Sequence, residues 1–457
     1  MTVRAIVGVL ALDVALVAVG TCLLWGSGIA GSLRSMFRLV GLAWLTGAAA
    51  MGITLSLELM IGVPYRLLTA LVTAVSLAGI GIAVGRAKHR GVALRIGPLR
   101  RLTLIAALGA GVAGLVLEAQ FRAARLQPVY EFDAMDFWLS KAKAVYYFGQ
   151  LKPSLLAQLP NSYYPPLMPV LDAVSFSFMG SADTVTLNLF YWSALAAFVA
   201  AAAGLLKPRV PAIIMWPTLL ALVSVPVIVN RGAAPLSDLP LDYLVATAAL
   251  LLASWLVEND SGLLVLASGL LGAAAITKRE GLLFGWCLLA SAMAANWSKK
   301  RATWPMLLAA AVPGVALTFA WRIWLSQVGV RYESPELGYF GLFTHLGRVW
   351  PSLHLTIHVL FGGSWWQLVP VILVVGIVVA LATRTGKLAT FSAAYVVLAG
   401  LACSWATLSF PSLPFSTDDS LNPIVRLTGA LVIPATAVLP LLLAAAWDGG
   451  DPSRKQT

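Results

Sequence analysis

The stretch EFDAMDFWLSKAKAVYYFG (131–149) sets Glu131, Asp133, Asp136, Lys141 and Lys143 among aromatic and aliphatic side chains, in a chain with only 11% charged residues. On a helix turning 100° per residue, Asp133, Asp136, Ser140 and Lys143 fall within about an 80° arc. Ala134, Met135, Trp138, Ala142 and Val145 then line the far side, with Phe137 and Lys141 flanking the polar edge. Two carboxylates one turn apart can hold a divalent cation, or let one act as a base while the other tunes it. The plain alternative is an interfacial helix whose charges are solvated, each Asp–Lys pair contributing about 0.2–0.5 kcal/mol.

Other polar groups interrupt the apolar sequence in the same way. ITKREGLLF (276–284) places Lys278, Arg279 and Glu280 in a turn of about five residues between two apolar runs. Charges held so near hydrocarbon are costly, and a cation there can hold a phosphate; snorkelling at helix ends is the ordinary alternative. SDLPLDY (237–243) opens another run with Asp238 and Asp242. Asp238 either caps that helix or adds a second carboxylate to a cavity above it. STDDSLNPIVRL (416–427) sinks Arg426 about one turn into the last run, where it must face protein, water or a phosphate. Asp418 and Asp419 are nearby candidates to neutralise it. Arg322, between Trp321 and Trp324, reads as an interfacial anchor. His354 and His358 have the i,i+4 spacing of a metal pair but no evident third ligand, so packing is the simpler reading. Asp13, inside the first apolar run, either pairs with another helix or marks a span that does not wholly face lipid.

The elements that must position these groups are transmembrane helices. The chain is 60% hydrophobic with mean hydropathy +0.87, and apolar runs of about 20 residues recur from end to end, as crossing about 30 Å of hydrocarbon requires. An all-α, polytopic integral membrane protein follows, with the lipid bilayer as its first partner. A net charge of +12 would suggest nucleic acid in a soluble chain. Here the basic residues cluster in short loops, so the positive-inside rule accounts for them and no nucleic-acid partner is expected. Cys22, Cys287 and Cys403 all lie in apolar runs, which argues against a disulfide framework.

The pattern predicts about thirteen spans, at 5–25, 37–57, 67–85, 102–119, 184–206, 211–229, 241–257, 262–276, 282–297, 304–326, 366–382, 389–408 and 427–447. The first has no small-residue cleavage pattern and is expected to stay in the membrane. Basic clusters at 85–101, 207–209 and 299–301, Arg384 with Lys387, and Arg454 with Lys455 all fall on one side under strict alternation. That side is expected to be cytoplasmic, with the C-terminus there. The chain divides into three helices and a basic loop (1–101), a main module (102–447) with one long outer loop (120–183), and a tail (448–457). Two short amphipathic or re-entrant helices are expected in that loop, and another at 351–361.

An acidic segment after an outward-going span, a Tyr164-Pro165-Pro166-Leu167 turn, then Asp238-Leu239-Pro240-Leu241 and Thr277-Lys278-Arg279-Glu280-Gly281, form an ordered set over about 102–447. The set resembles the GT-C superfamily of glycosyltransferases that use polyprenyl-phosphate-linked sugars, such as protein O-mannosyltransferases and lipid A aminoarabinose transferases. The resemblance implies a multi-pass plasma-membrane enzyme with its site on the extracytoplasmic face. Such an enzyme moves a sugar with inversion from a polyprenyl-phosphate donor to an acceptor hydroxyl on a glycan, lipid or protein. It implies Asp133 as the catalytic base, with Asp136 as the alternative. Lys278, Arg279 and Arg426 would hold the donor phosphate, and Lys141, Tyr164, Asp238 and Glu280 would meet substrate. The resemblance names no certain cofactor and leaves room for a divalent cation. Two departures stand out: Ala134 follows Asp133 where many relatives carry a second acid, and three spans precede the helix that is usually first. A transporter or lipid-linked-saccharide flippase is the rival class. It would place polar residues near the bilayer midplane in matching halves, which the sequence does not show.

Overall fold

A computed structural model describes residues 1–88, 103–159, 161–330, 345–383, 385–408 and 423–447. The described residues form helices and no strand. Nine of these helices are long and apolar enough to cross a membrane: Val3–Ser27, Val40–Met60, Leu67–Ala87, Leu104–Ala124, Thr184–Leu206, Asp238–Glu258, Trp297–Gln327, Lys387–Leu408 and Pro423–Trp447. The other four expected spans are helical but shorter: Ala212–Val223, Ser261–Thr277, Glu280–Ala295 and Val369–Ala382. The 211–229 run breaks because Pro226 forces Val225 into an extended conformation and starts a second helix, Pro226–Arg231.

Asp238–Glu258 is the central helix, buried from Asp238 through Leu256. It is apolar nearly all round, as a helix enclosed by others must be, and it packs against Pro423–Trp447, Ser261–Thr277 and Thr184–Leu206. Its two ends differ in chemistry. At Glu258 the carboxylate pairs with Arg209, and the Lys387 ammonium reaches the Leu256 carbonyl at 3.5 Å. At Asp238 lies a mixed cluster of acids and bases. Twenty-one residues at about 1.5 Å each separate the two ends by roughly 30 Å.

The first two long helices pack on later ones. Val40–Met60 packs on Thr184–Leu206, and Val3–Ser27 packs on Leu167–Met179. Asp13 joins them: its carboxylate accepts hydrogen bonds from Trp44 Nε1 and Ser193 Oγ, both at 2.8 Å. An acid inside an apolar helix is thereby satisfied by two neighbouring helices.

Short helices are present in the 120–183 segment as expected, and one expectation there is corrected. Leu167–Met179 is enclosed by protein, with all but two of its residues buried. The acidic strip forms a helix over 132–148, but its Ala134–Trp138 turn is a π turn. One extra residue per turn breaks the 100° wheel there. Ala134, Trp138, Ala142 and Val145 face inward as that wheel predicts, while Met135 turns outward at 46% exposure and Lys141 is wholly buried. The helix expected at 351–361 is present as Val349–Phe361, with the His354 and His358 rings parallel and 6.5 Å apart on its exposed side. Residues 89–101, Arg384, Asp418, Asp419 and the tail with Arg454 and Lys455 lie outside the described residues.

Candidate functional site

Four separate segments deliver charge to one point. Asp133 comes from the 132–148 helix, Asp238 from the first turn of Asp238–Glu258, and Arg426 from the first turn of Pro423–Trp447. Lys278 and Glu280 come from the break between Ser261–Thr277 and Glu280–Ala295. That break is tighter than a five-residue turn, because Lys278 is extended and Glu280 already begins the next helix. Gly281 permits it: a Cβ there would lie 2.0 Å from the Ala274 carbonyl oxygen.

Asp238 is the bridge. Its Oδ1 accepts from Lys278 Nζ at 2.8 Å, and its Oδ2 accepts from Arg426 Nε at 3.0 Å and Nη2 at 2.8 Å. Arg426 gives its remaining terminal nitrogen, Nη1, to Asp133 Oδ2. Lys278 Nζ also lies 3.3 Å from Glu280 Oε1, whose companion Oε2 is buried without a hydrogen-bond partner. The capping reading of Asp238 therefore fails. Its carboxylate faces two cations, and Ser237 stands at the N-cap position without a side-chain cap bond. Snorkelling fails for Lys278 for the same reason. Burial alone would disfavour its charged form, but Asp238 and Glu280 outweigh that and hold its ammonium above the ordinary lysine range.

An aromatic wall stands beside the cations. Tyr164 packs against Phe137 and Trp138 with centroids 5.9 and 5.3 Å apart, and Lys278 Nζ lies 5.6 Å from its ring. The Arg279 guanidinium sits over Tyr163 and Tyr164 at 5.5 and 5.8 Å, a cation–π arrangement. Burial and the nearby Glu280 carboxylate hold the Tyr164 phenol above its ordinary range, so it stays protonated.

Two residues of the strip are placed otherwise than their sequence context suggests. Lys141, expected to meet substrate, is enclosed and donates to the carbonyl oxygens of Asn161 at 3.2 Å and Tyr164 at 3.1 Å. It straps the Tyr163-Tyr164 turn to the acidic helix. Asp136 is half-buried and takes no part in the ion-pair cluster.

Sequence reasoning missed Arg231. It is 5% exposed and lines a small cavity with Asp238, Asp242 and Arg426 that has room for about one water. The available signal was an arginine in VNRGAAP, just after an apolar run. Asp242 lies one turn beyond Asp238, with its Oδ2 against Gly429; a Cβ on Gly429 would come within 2.2 Å of that oxygen. Among the described residues, no group of three or more His, Cys, Asp or Glu is arranged to hold a metal ion.

Chemically, the cluster is an anion site already filled by carboxylates. Lys278 and Arg426 converge in a poorly hydrated pocket, with Arg279 stacked alongside, and Asp133 stands at its more open edge. No protein-family model matches the chain, and no curated protein or solved structure matches it either.

Proposed function

We propose that the chain is a membrane glycosyltransferase of the GT-C type, with about thirteen spans and its site on the extracytoplasmic face. In this reading it moves a sugar from a polyprenyl-phosphate donor to an acceptor hydroxyl with inversion. The observation that carries the reading is the meeting of Asp133, Asp238, Lys278, Glu280 and Arg426 from four distant segments at one end of the bundle. A scaffold has no use for two cations held by three carboxylates in so apolar a chain. The basic clusters at 207–209 and Lys387 lie at the opposite end of the central helix, which supports a cytoplasmic assignment for that end.

In the reaction, the acceptor oxygen attacks the anomeric carbon while Asp133 takes the hydroxyl proton, and the bond from that carbon to the phosphate oxygen breaks. The departing phosphate keeps the electron pair and needs charge stabilisation rather than a proton. Lys278 and Arg426 supply it, with Arg279 and Tyr164 walling the pocket. The sugar-nucleotide pool is cytoplasmic, so a site facing outward calls for a lipid-linked donor.

The test is complementation of cells lacking the protein. Wild-type protein should restore the envelope glycan or glycolipid that is lost, whereas Asp133→Asn, made and folded at normal levels, should restore none. Full restoration by Asp133→Asn would remove the base assignment.

A further inference from the structure

We infer that the donor's phosphate frees the base: it takes the place of Asp133 on Arg426, so donor must bind before acceptor can be activated. The inference rests on the glycosyltransferase reading and adds an order of binding to it.

Arg426 divides its donors unequally between two carboxylates. Nε and Nη2 go to Asp238, which Lys278 also holds, so three N–H donors fix that carboxylate. Asp133 receives only Nη1. Exposure follows the same division. The side chains of Asp238, Lys278, Arg426 and Glu280 are 8–12% exposed, whereas Asp133 is 23% exposed. Asp238 also belongs to the innermost helix, whereas Asp133 sits on a connecting helix beside its π turn. One carboxylate is built in, and the other is exchangeable.

Charge points the same way. Three carboxylates (Asp133, Asp238, Glu280) face two directly paired cations (Lys278, Arg426). A phosphodiester carries one negative charge, as a carboxylate does, so exchanging one for the other on Nη1 leaves the balance at Arg426 unchanged. Adding the phosphodiester without displacing Asp133 would crowd a further anion against a carboxylate that already occupies the same guanidinium nitrogen. Displacement also leaves Asp133 Oδ2 without its guanidinium partner and next to the phosphate, beside the carbon the acceptor must attack. Before exchange that oxygen is turned to the guanidinium, and the lone pair that faces Nη1 is not open to a hydroxyl. The resting site therefore holds its own base in reserve.

The sign of one substitution distinguishes this from a base with no gating role. The full-length chain, purified in detergent, is titrated with a polyprenyl phosphodiester, and separately with inorganic phosphate as the arm without a lipid. Removing the competing carboxylate with Asp133→Asn should tighten binding of the lipid phosphate about three- to tenfold. Asp136→Asn, which removes equal charge from the same helix outside the cluster, should leave affinity within about twofold. Equal tightening by both variants reduces the effect to general electrostatics and overturns the inference. Unchanged or weaker binding by Asp133→Asn overturns it too, but leaves the glycosyltransferase reading intact. If wild-type protein binds neither phosphate, the cations do not form a phosphate site and both fall. Tightening of inorganic phosphate alone would show exchange without a lipid donor and would also count against the inference. Asp133→Ser supplies the same comparison should the asparagine variant not fold.

Discussion

Asp238 carries more of the site than any other described residue, because it pairs with both Lys278 and Arg426. Asp238→Asn would leave Lys278 with Glu280 and Arg426 with Asp133, each short of the partner that offsets its burial. Breaking a buried pair from one side costs about 3–5 kcal/mol, so this variant should melt well below wild type in detergent. An unchanged melting temperature would show the cluster to be more hydrated than its geometry implies. Asp133, Asp238, Lys278 and Arg426 were all legible in the sequence, since charge stands out in a chain this apolar. Their pairing was not legible. The two carboxylates that pair with Arg426 among the described residues come from positions 133 and 238, far from it in sequence and brought close only by tertiary packing.

At the scale of elements, the 132–148 helix shows where a periodic reading stops working. The wheel places Ala134, Trp138, Ala142 and Val145 correctly but misplaces Met135 and Lys141, because a π turn has no signature in residue types alone. Lys141 becomes the strap between this helix and the Tyr163-Tyr164 turn, whose other side is held by Trp321 Nε1 on the Tyr163 carbonyl at 2.7 Å. Burial pushes the Lys141 ammonium down to about 7, against about 10.4 for lysine in an unfolded chain. Below about pH 7 both states carry the proton, and folding bears the whole cost of burying it. Between those two values only the unfolded chain binds the proton, so rising pH removes the cost and stability increases. Wild-type melting temperature should therefore climb relative to Lys141→Met between about pH 7 and pH 10. Parallel curves across that range would mean that Lys141 is solvated in the folded protein. The Leu167–Met179 helix was likewise legible as a helix but not as a buried one, since Val3–Ser27 and Val40–Met60, far upstream, join Leu139–Phe148 in enclosing it.

For the whole molecule, composition alone made a helical membrane protein legible, and nine helices among the described residues are of spanning length, while the 211–229 run divides into two helices. Asp13 was legible as a residue in need of partners, but Trp44 and Ser193 are unremarkable until they meet it. The segregation of charge is clearest at this scale: Arg209, Glu258 and Lys387 lie at one end of the central helix, and Asp133, Asp238, Lys278 and Arg426 at the other. That polarity is what a transferase needs if it takes a lipid-linked sugar on one face of a membrane and is anchored by basic loops on the other. The most direct test is the pool of polyprenyl-phosphate sugars in cells whose only copy of the protein is Asp133→Asn, measured by mass spectrometry beside wild type. The account predicts that one polyprenyl-phosphate sugar accumulates while the same sugar disappears from an envelope glycan, glycolipid or protein. A pool and a glycan profile identical to wild type would contradict it.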